Sequence, residues 1–268
     1  MDRNNSMDVC LKMSKRLLTV ADMLGGYESD ISFKGANVSY GHMDRFRRVA
    51  DVGCDHGYVS IYLMQKGIAD AAIAMDVRSG PLSMAEGHIR EYGLSDRIET
   101  RLSDGMGELK EGEADGLVIA GMGGKLMMSI LDAKDLRTLG IKVAVLQPQS
   151  DIPLFREYLR NKGYCTLDER IVFEDGKYYF PMRVVIPSES GEGAGGATSS
   201  FSQRICDRFG LCNIQRKDEL LKDYLEHGRE VAQSVLSSLD EEQHRERYRE
   251  VRDELDDIEE VLEYFTAK

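Results

Sequence analysis

Val49-Ala50-Asp51-Val52-Gly53-Cys54-Asp55-His56-Gly57 is an apolar strand running into a tight glycine turn, and Tyr58-Val59-Ser60-Ile61-Tyr62-Leu63-Met64 continues from it as a helix. Such a turn sets backbone N–H groups and a helix N-terminus at the C-terminal edge of a sheet, where nucleotide-like ligands bind. A second apolar run, Ala71-Ala72-Ile73-Ala74-Met75, ends at Asp76. An acidic residue about 20 positions beyond the first glycine suits the hydroxyls of a ribose.

The side chains of the turn discriminate between ligands. A pyrophosphate needs small, uncharged residues so that the backbone can approach its anionic oxygens. Asp55 instead stands where phosphates would lie, and like charges repel there. S-adenosylmethionine (SAM) has no phosphate but carries an ammonium and a sulfonium, so Asp51 and Asp55 become favourable. The glycine turn alone is equally compatible with a Rossmann-like element that holds no cofactor.

At 268 residues the chain exceeds one typical domain. No apolar stretch approaches the roughly 20 residues that span a bilayer, and Met1-Asp2-Arg3-Asn4-Asn5 lacks the apolar core of a secretion signal. The five cysteines, Cys10, Cys54, Cys165, Cys206 and Cys212, are odd in number and show no CxxC spacing. Neither a disulfide framework nor a metal site is expected, and a cytoplasmic location fits. The net charge is −12, of which residues 188–268 contribute −9 and residues 1–187 only −3. A nearly neutral body can still present a basic face to nucleic acid, because phosphate binding follows local patches.

Residues 7–24 read as an amphipathic helix with Lys12, Lys15 and Arg16 on a basic side. Residues 25–48 read as a polar loop ending in Arg45-Phe46-Arg47-Arg48. These basic residues are either a solvated face or an RNA-backbone footprint. Strands are then expected over 49–53, 71–76, 98–102, 116–120 and 142–146, with helices over 57–66, 80–92, from Gly124 to Leu131, and over 151–162. The alternation implies a parallel sheet with right-handed crossovers. Tyr164–Phe173 and Tyr178–Ile186 are strand-like runs around Glu174-Asp175-Gly176-Lys177, a hairpin signal. A parallel sheet finished by an antiparallel hairpin is the usual ending of a class I methyltransferase and a second vote for SAM. Residues 188–200 form a flexible linker by composition. Beyond it, helices over 214–238 and 240–265 pair as a coiled-coil hairpin, with Leu221, Tyr224, Val231 and Val235 facing Tyr248, Val251, Leu255, Ile258, Leu262 and Phe265. Asp240-Glu241-Glu242 is expected to start the second of these helices. The domains are thus 1–187 (SAM-binding, with its N-terminal helix), 188–200 (linker) and 201–268 (helical).

Ser103-Asp104-Gly105, Ile119-Ala120-Gly121-Met122-Gly123-Gly124 and Leu146-Gln147-Pro148-Gln149 follow the first turn and Asp76 in order. With Leu11-Lys12-Met13-Ser14-Lys15-Arg16-Leu17, the Glu174–Tyr179 segment and the helical tail, they resemble the bacterial tRNA adenine-22 N1-methyltransferase family over nearly the whole chain. The family's first turn more often reads Gly-Ser-Asp-His-Ala, and its Leu-Gln-Pro-Asn stands here as Leu-Gln-Pro-Gln. The resemblance implies SAM as cofactor, tRNA as partner and methyl transfer to N1 of an adenine in the D-arm region. Asp51, Gly53, Cys54, Asp55 and His56 would surround its methionine end, Asp76 with Val77 its ribose, and Asp104 with Gly105 its adenine. Gly121, Met122 and Gly123 would pass under the sulfonium. Gln147 and Gln149, with His56, are the candidates for placing the target base, and Tyr58 and Tyr178 are candidates for stacking on it. A small-molecule methyltransferase with a dimerising tail and a non-enzymatic SAM-binding interaction protein remain open, and a nicotinamide dehydrogenase is more distant. Oligomeric state is not legible.

Overall fold

The computed structural model describes residues 8–25, 45–187 and 199–267. Of the expected loop over 25–48, residues 26–44 lie outside the described residues, as do 188–198 of the expected linker over 188–200. The chain divides into two compact units, residues 1–198 and 199–268.

In the first unit five parallel strands, β1 (Phe46–Val52), β2 (Ala69–Asp76), β3 (Ile98–Leu102), β4 (Gly116–Met122) and β5 (Val143–Pro148), share a sheet with β6 (Cys165–Glu169) and β9 (Met182–Val185). The order is β3-β2-β1-β4-β5-β9-β6, and β9 runs antiparallel between β5 and β6. Helices α2 (Tyr58–Gln65), α3 (Ser79–Glu91), α4 (Gly124–Ala133), α5 (Leu136–Leu139) and α6 (Ile152–Asn161) form the crossovers. The central strands are apolar throughout because helices cover both faces of a parallel sheet; β5 is buried at every position. Chain order reverses between β1 and β4, and that reversal opens a crevice at their carboxyl ends.

Several boundaries differ from the sequence reading. The first strand begins at Phe46, inside the segment read as a loop. Phe46 is fully buried and its N–H donates to Ile68 O at 2.8 Å, while Arg47 alternates outward. The N-terminal helix is broken into a 3-10 turn, Val9–Lys12, and α1 (Lys15–Gly25), because Met13 is extended and Ser14 Oγ accepts from Leu17 N–H at 3.3 Å. The terminal hairpin is split: β6 and β9 join the main sheet, whereas β7 (Val172–Glu174) and β8 (Lys177–Tyr179) form a separate ribbon closed by Asp175 and Gly176, both with positive φ.

The second unit contains α7 (Gln203–Phe209), α8 (Leu211–Arg216), α9 (Glu219–Ser238) and α10 (Arg245–Thr266). The first expected long helix therefore starts later, after left-handed Lys217 and the Asp218 cap, whose side chain accepts from Leu220 N–H. Asp240 does not open α10; its carboxylate accepts from the N–H groups of Glu242 and Gln243 in a preceding turn. Val231 is 50% exposed, so the buried stripe of α9 runs through Leu221, Leu225 and Ala232 instead. Ala232 packs against Val251 and Leu255 of α10.

Asp257 joins α7 to α10: it is 1% exposed, with Arg204 Nη2 at 2.6 Å and Arg208 Nε at 3.2 Å. Only the carboxylate is buried, since Arg204 is half exposed, so losing Asp257 removes charged hydrogen bonds without stranding a buried charge. Asp257→Ala is expected to cost about 2 kcal/mol in denaturant unfolding, against less than about 0.5 kcal/mol for the exposed Glu259→Ala.

Candidate active site

The crevice is built from the ends of four strands. β1 delivers Asp51, and the chain then turns through Gly53 (φ 77°), Asp55 (φ 49°) and Gly57 (φ 72°) into α2. Left-handed backbone at these points favours glycine or a short acidic residue, which accounts for this spelling of the turn. The N–H groups of Gly53 and Cys54 both donate to Met75 O, at 2.8 and 2.9 Å, tying the turn to the end of β2. There Asp76, 5% exposed, accepts from Arg78 N–H at 2.9 Å and from Asp55 N–H at 3.4 Å. Beyond β3, Ser103 N–H donates to Asp76 O, and Ser103 Oγ donates to Gly105 O and accepts from Glu108 N–H. These bonds place Asp104 and Gly105 at the crevice edge.

β4 runs two residues further than expected, so Gly121 lies in the strand, at an irregularity between Ala120 and Met122. Met122 O accepts from Gln149 N–H at 2.8 Å, and a Cβ on Gly53 would stand 2.4 Å from Met122 Cε. The methionine thus closes over the first glycine as an apolar wall.

The result is a cavity of about 410 Å³. All the residues read from sequence as cofactor-binding line it except Gly123, which caps α4 just behind. His56 and Gln149 line it as well. Gln147 does not: it is fully buried, its Oε1 accepts from Arg16 Nη1 at 2.7 Å, and its Nε2 donates to Pro148 O. Of the six basic residues read as an RNA footprint, Arg16 alone lines the cavity, where Arg78, which the sequence reading did not single out, joins it. Lys12 and Lys15 are exposed nearby in sequence, and Lys15 N–H donates to Glu174 Oε1. Arg45, Arg47 and Arg48 lie at the amino end of β1, away from the crevice. Arg45 pairs with Asp70, Arg47 Nη2 donates to Gly112 O, and Arg48 Nη1 is 4.0 Å from Glu99.

Tyr58 stacks on His88, ring centroids 4.8 Å apart, and on His56 at 5.6 Å. His88 Nδ1 is 3.0 Å from His56 O, a carbonyl that can only accept, so Nδ1 donates there, and Nε2 lies 3.4 Å from the Tyr58 hydroxyl. His88 carried no motif signal; its role follows from α3 packing beside the turn. Tyr178 tilts against Phe173 on the β7–β8 ribbon, outside the cavity lining.

Asp51 is 4% exposed, and its hydrogen bonds come from Ser60, whose Oγ donates at 2.8 Å. Burial pushes its carboxyl up to about 6; Ser60 opposes this, and the Asp76 charge adds to it. Burial, and then the carboxylates of Asp51, Asp76 and Asp55, push the Cys54 thiol up, so it stays protonated and inert. Among the described residues no group of three or more His, Cys, Asp or Glu is placed to hold a metal, and no helix is long and apolar enough to cross a membrane.

A Rossmann-like sheet ending in an inserted antiparallel strand, with an acidic crevice at its reversal point, defines a methyltransferase. Residues 40–182 match the family model described as "Methyltransferase domain". Over 258 residues the chain is 31% identical to the tRNA (adenine(22)-N(1))-methyltransferase of Bacillus subtilis, covering 95% of this chain and 98% of that one. The crystal structure of the B. subtilis m1A22 tRNA methyltransferase superposes with a TM-score of 0.71 at 29% identity, over 94% of this chain and 99% of that one. Streptococcus pneumoniae Sp1610, solved with S-adenosyl-L-methionine, gives 0.70 at 26% identity over 93% and 99%. The chain belongs to the tRNA (adenine-22-N1)-methyltransferase family.

The raised carboxyl of Asp51 has a stability consequence. From the ordinary value of 3.8 up to about 6 the folded chain retains a proton that the unfolded chain releases, so stability falls as pH rises through that window. Asp51→Asn is therefore expected to stabilise the ligand-free protein by about 3 kcal/mol at pH 8. That gain should vanish near pH 4, as read by urea unfolding at the two pH values.

Proposed function

We propose that this chain transfers a methyl group from SAM to N1 of adenine 22 in tRNA. The observation that carries the reading is 31% identity to the B. subtilis enzyme sustained over 95% of this chain and 98% of that one, a match long enough to take in both compact units. Residues 1–187 would then be the methyl-transfer domain, joined through 188–200 to a helical domain, 201–268, that serves the tRNA. Such an enzyme works in the cytoplasm, where its substrate is.

The crevice suits the cofactor on its own chemistry. Asp51 is a buried carboxylate whose hydrogen bonds come from Ser60, and an ammonium would relieve its burial. Asp76, oriented by two backbone N–H groups, is set for ribose hydroxyls. Val77 is 59% exposed at the cavity and offers an apolar surface to a purine. Bound there, SAM supplies an electrophilic methyl group on a sulfonium.

Adenine N1 has a free lone pair, so no residue has to remove a proton before transfer. The protein's task is to align N1 with the methyl carbon and sulfur, which is catalysis by orientation. Base pairing hides N1, so the nucleotide must leave its helix to enter the crevice. The base becomes cationic as it is methylated, and the carboxylates lining the crevice favour that charge. Gln149, exposed at the end of β5, is positioned to meet the base edge.

Incubation of tRNA with the protein and SAM, followed by nucleoside mass spectrometry and mapping, should show 1-methyladenosine at position 22; unmodified tRNA would refute the reading. A second measurement addresses the cofactor site. The ammonium needs ionised Asp51, so SAM should bind more tightly as pH rises through about 6. Below that pH, binding should release a proton, visible as calorimetric heat that varies with buffer. Asp51→Asn should bind about 10- to 100-fold more weakly and without proton release.

A further inference from the structure

Arg16 enters the crevice from α1, and among the described residues no carboxylate pairs with it directly. Its Nη1 donates to Gln147 Oε1 at 2.7 Å, and its Cζ lies 5.3 Å from the centre of the Tyr179 ring. Both partners are neutral. Gln147 is fully buried, and its Nε2 is spent on Pro148 O, so the amide is locked with its oxygen toward the guanidinium. Arginine has further N–H donors in a planar fork. Arg16 lines the cavity beside Gly121, where an added Cβ would lie in ordinary contact, 3.7 Å, with Nη1.

Among the other arginines, Arg156 is matched to Glu169, Arg101 to Glu113 and Arg204 to Asp257, while Arg97 is satisfied by the backbone carbonyls of Ala69 and Asp70. A half-buried cation that loses hydration recovers it best from a charged acceptor. A glutamine at 147 anchors the guanidinium without consuming its charge, so the anion has to arrive with a reactant. Charge flow in the reaction requires the same. Transfer leaves the base cationic, and a bare guanidinium beside it would oppose that change unless an anion stood between them.

We propose that Arg16 is an oxyanion-binding residue of the active site, oriented by Gln147 and Tyr179, and that its anion is the methionine carboxylate of the cofactor or a phosphodiester of the RNA. The inference rests on the methyltransferase reading above. Gln147 is then a positioning residue: it acts on reactants through Arg16.

The test uses the full chain as wild type, Arg16→Met, Arg16→Lys and Gln147→Glu. In the cofactor arm, calorimetry compares S-adenosylhomocysteine with the same nucleoside thioether lacking the carboxylate. In the RNA arm, binding of a tRNA transcript is followed against salt concentration. Arg16→Met should weaken one arm by about 10- to 100-fold. In the cofactor arm the preference for the carboxylate should disappear; in the RNA arm the slope of log affinity against log salt should fall by about 1. Arg16→Lys should retain part of the effect, since it keeps the charge and loses the fork. Gln147→Glu should reproduce the loss in a folded protein, because a carboxylate at 147 consumes the arginine's charge while keeping its contact; the donation to Pro148 O is given up, so Tm is read alongside binding. The proposal is overturned if Arg16→Met changes neither arm, or if Gln147→Glu binds as wild type does. Both arms read binding without turnover. Failure of the wild type to methylate tRNA would defeat the functional reading separately.

Discussion

A carboxylate buried where the strand order reverses is the constraint on which the rest of the crevice depends. Asp51 sits on the last turn of a strand covered on both faces, its hydrogen bonds come from Ser60, and the Asp76 charge lies close by. Removing a charge from water is unfavourable, and a second like charge nearby makes it worse. The fold tolerates this because hydrophobic burial along β1, β2 and β4 is large and local. The strain becomes useful when a cation arrives: the same burial that raises the carboxyl strengthens its attraction for an ammonium. A dinucleotide's pyrophosphate laid along the turn after β1 would meet repulsion from Asp51, Asp55 and Asp76. One electrostatic arrangement therefore both disfavours dinucleotides and favours a positively charged methyl donor.

The remaining parts hold those carboxylates still. Parallel register sets Val52 against Met75 and against Ile119, so the turn after β1 and the glycines after β4 emerge at one level. Met75 O then receives two N–H groups from the turn, and Asp76 receives one from each neighbouring loop. His88 does the same from α3, holding His56 O with one ring nitrogen and the Tyr58 hydroxyl with the other. Each contact is modest alone. Together they leave the acidic groups little freedom to relax away from one another, which is what preorganisation requires.

How much of this was legible from the chain follows from the range of the interactions. The apolar strands, the positive-φ glycines and the acid ending β2 are signals carried by a few consecutive residues, and so the turns that line the crevice were readable, whereas Arg78, Leu126 and Ile130, brought in by neighbouring elements, were not. Phe46 was missed as a strand residue because arginines flank it; only its seat against Gly116 and Val49 shows that it belongs inside. Val231 and Leu225 are both apolar on one helix, and choosing between them requires knowing that Ala232 meets Val251 and Leu255. Arg16 and Gln147 are 131 positions apart, so no local pattern couples them. The basic face read into Lys12, Lys15 and Arg16 was a statement about residue type, whereas the structure separates them by what each can touch.

That separation bears on how an acidic protein can handle RNA at all. Arg45 and Arg48, which looked like a footprint in sequence, face acids at the far end of β1, where partly screened surface pairs hold little energy. Arg16, in contrast, is unmatched, half-buried and adjacent to the reacting region. A cation in that position contributes far more per charge than several on an open surface, because its attraction is less screened and its geometry is fixed. Where the oxyanion met by Arg16 is a phosphodiester, a chain with net charge −12 needs no broad basic patch to engage a polyanion at the point of chemistry. It needs one guanidinium held by groups that do not neutralise it.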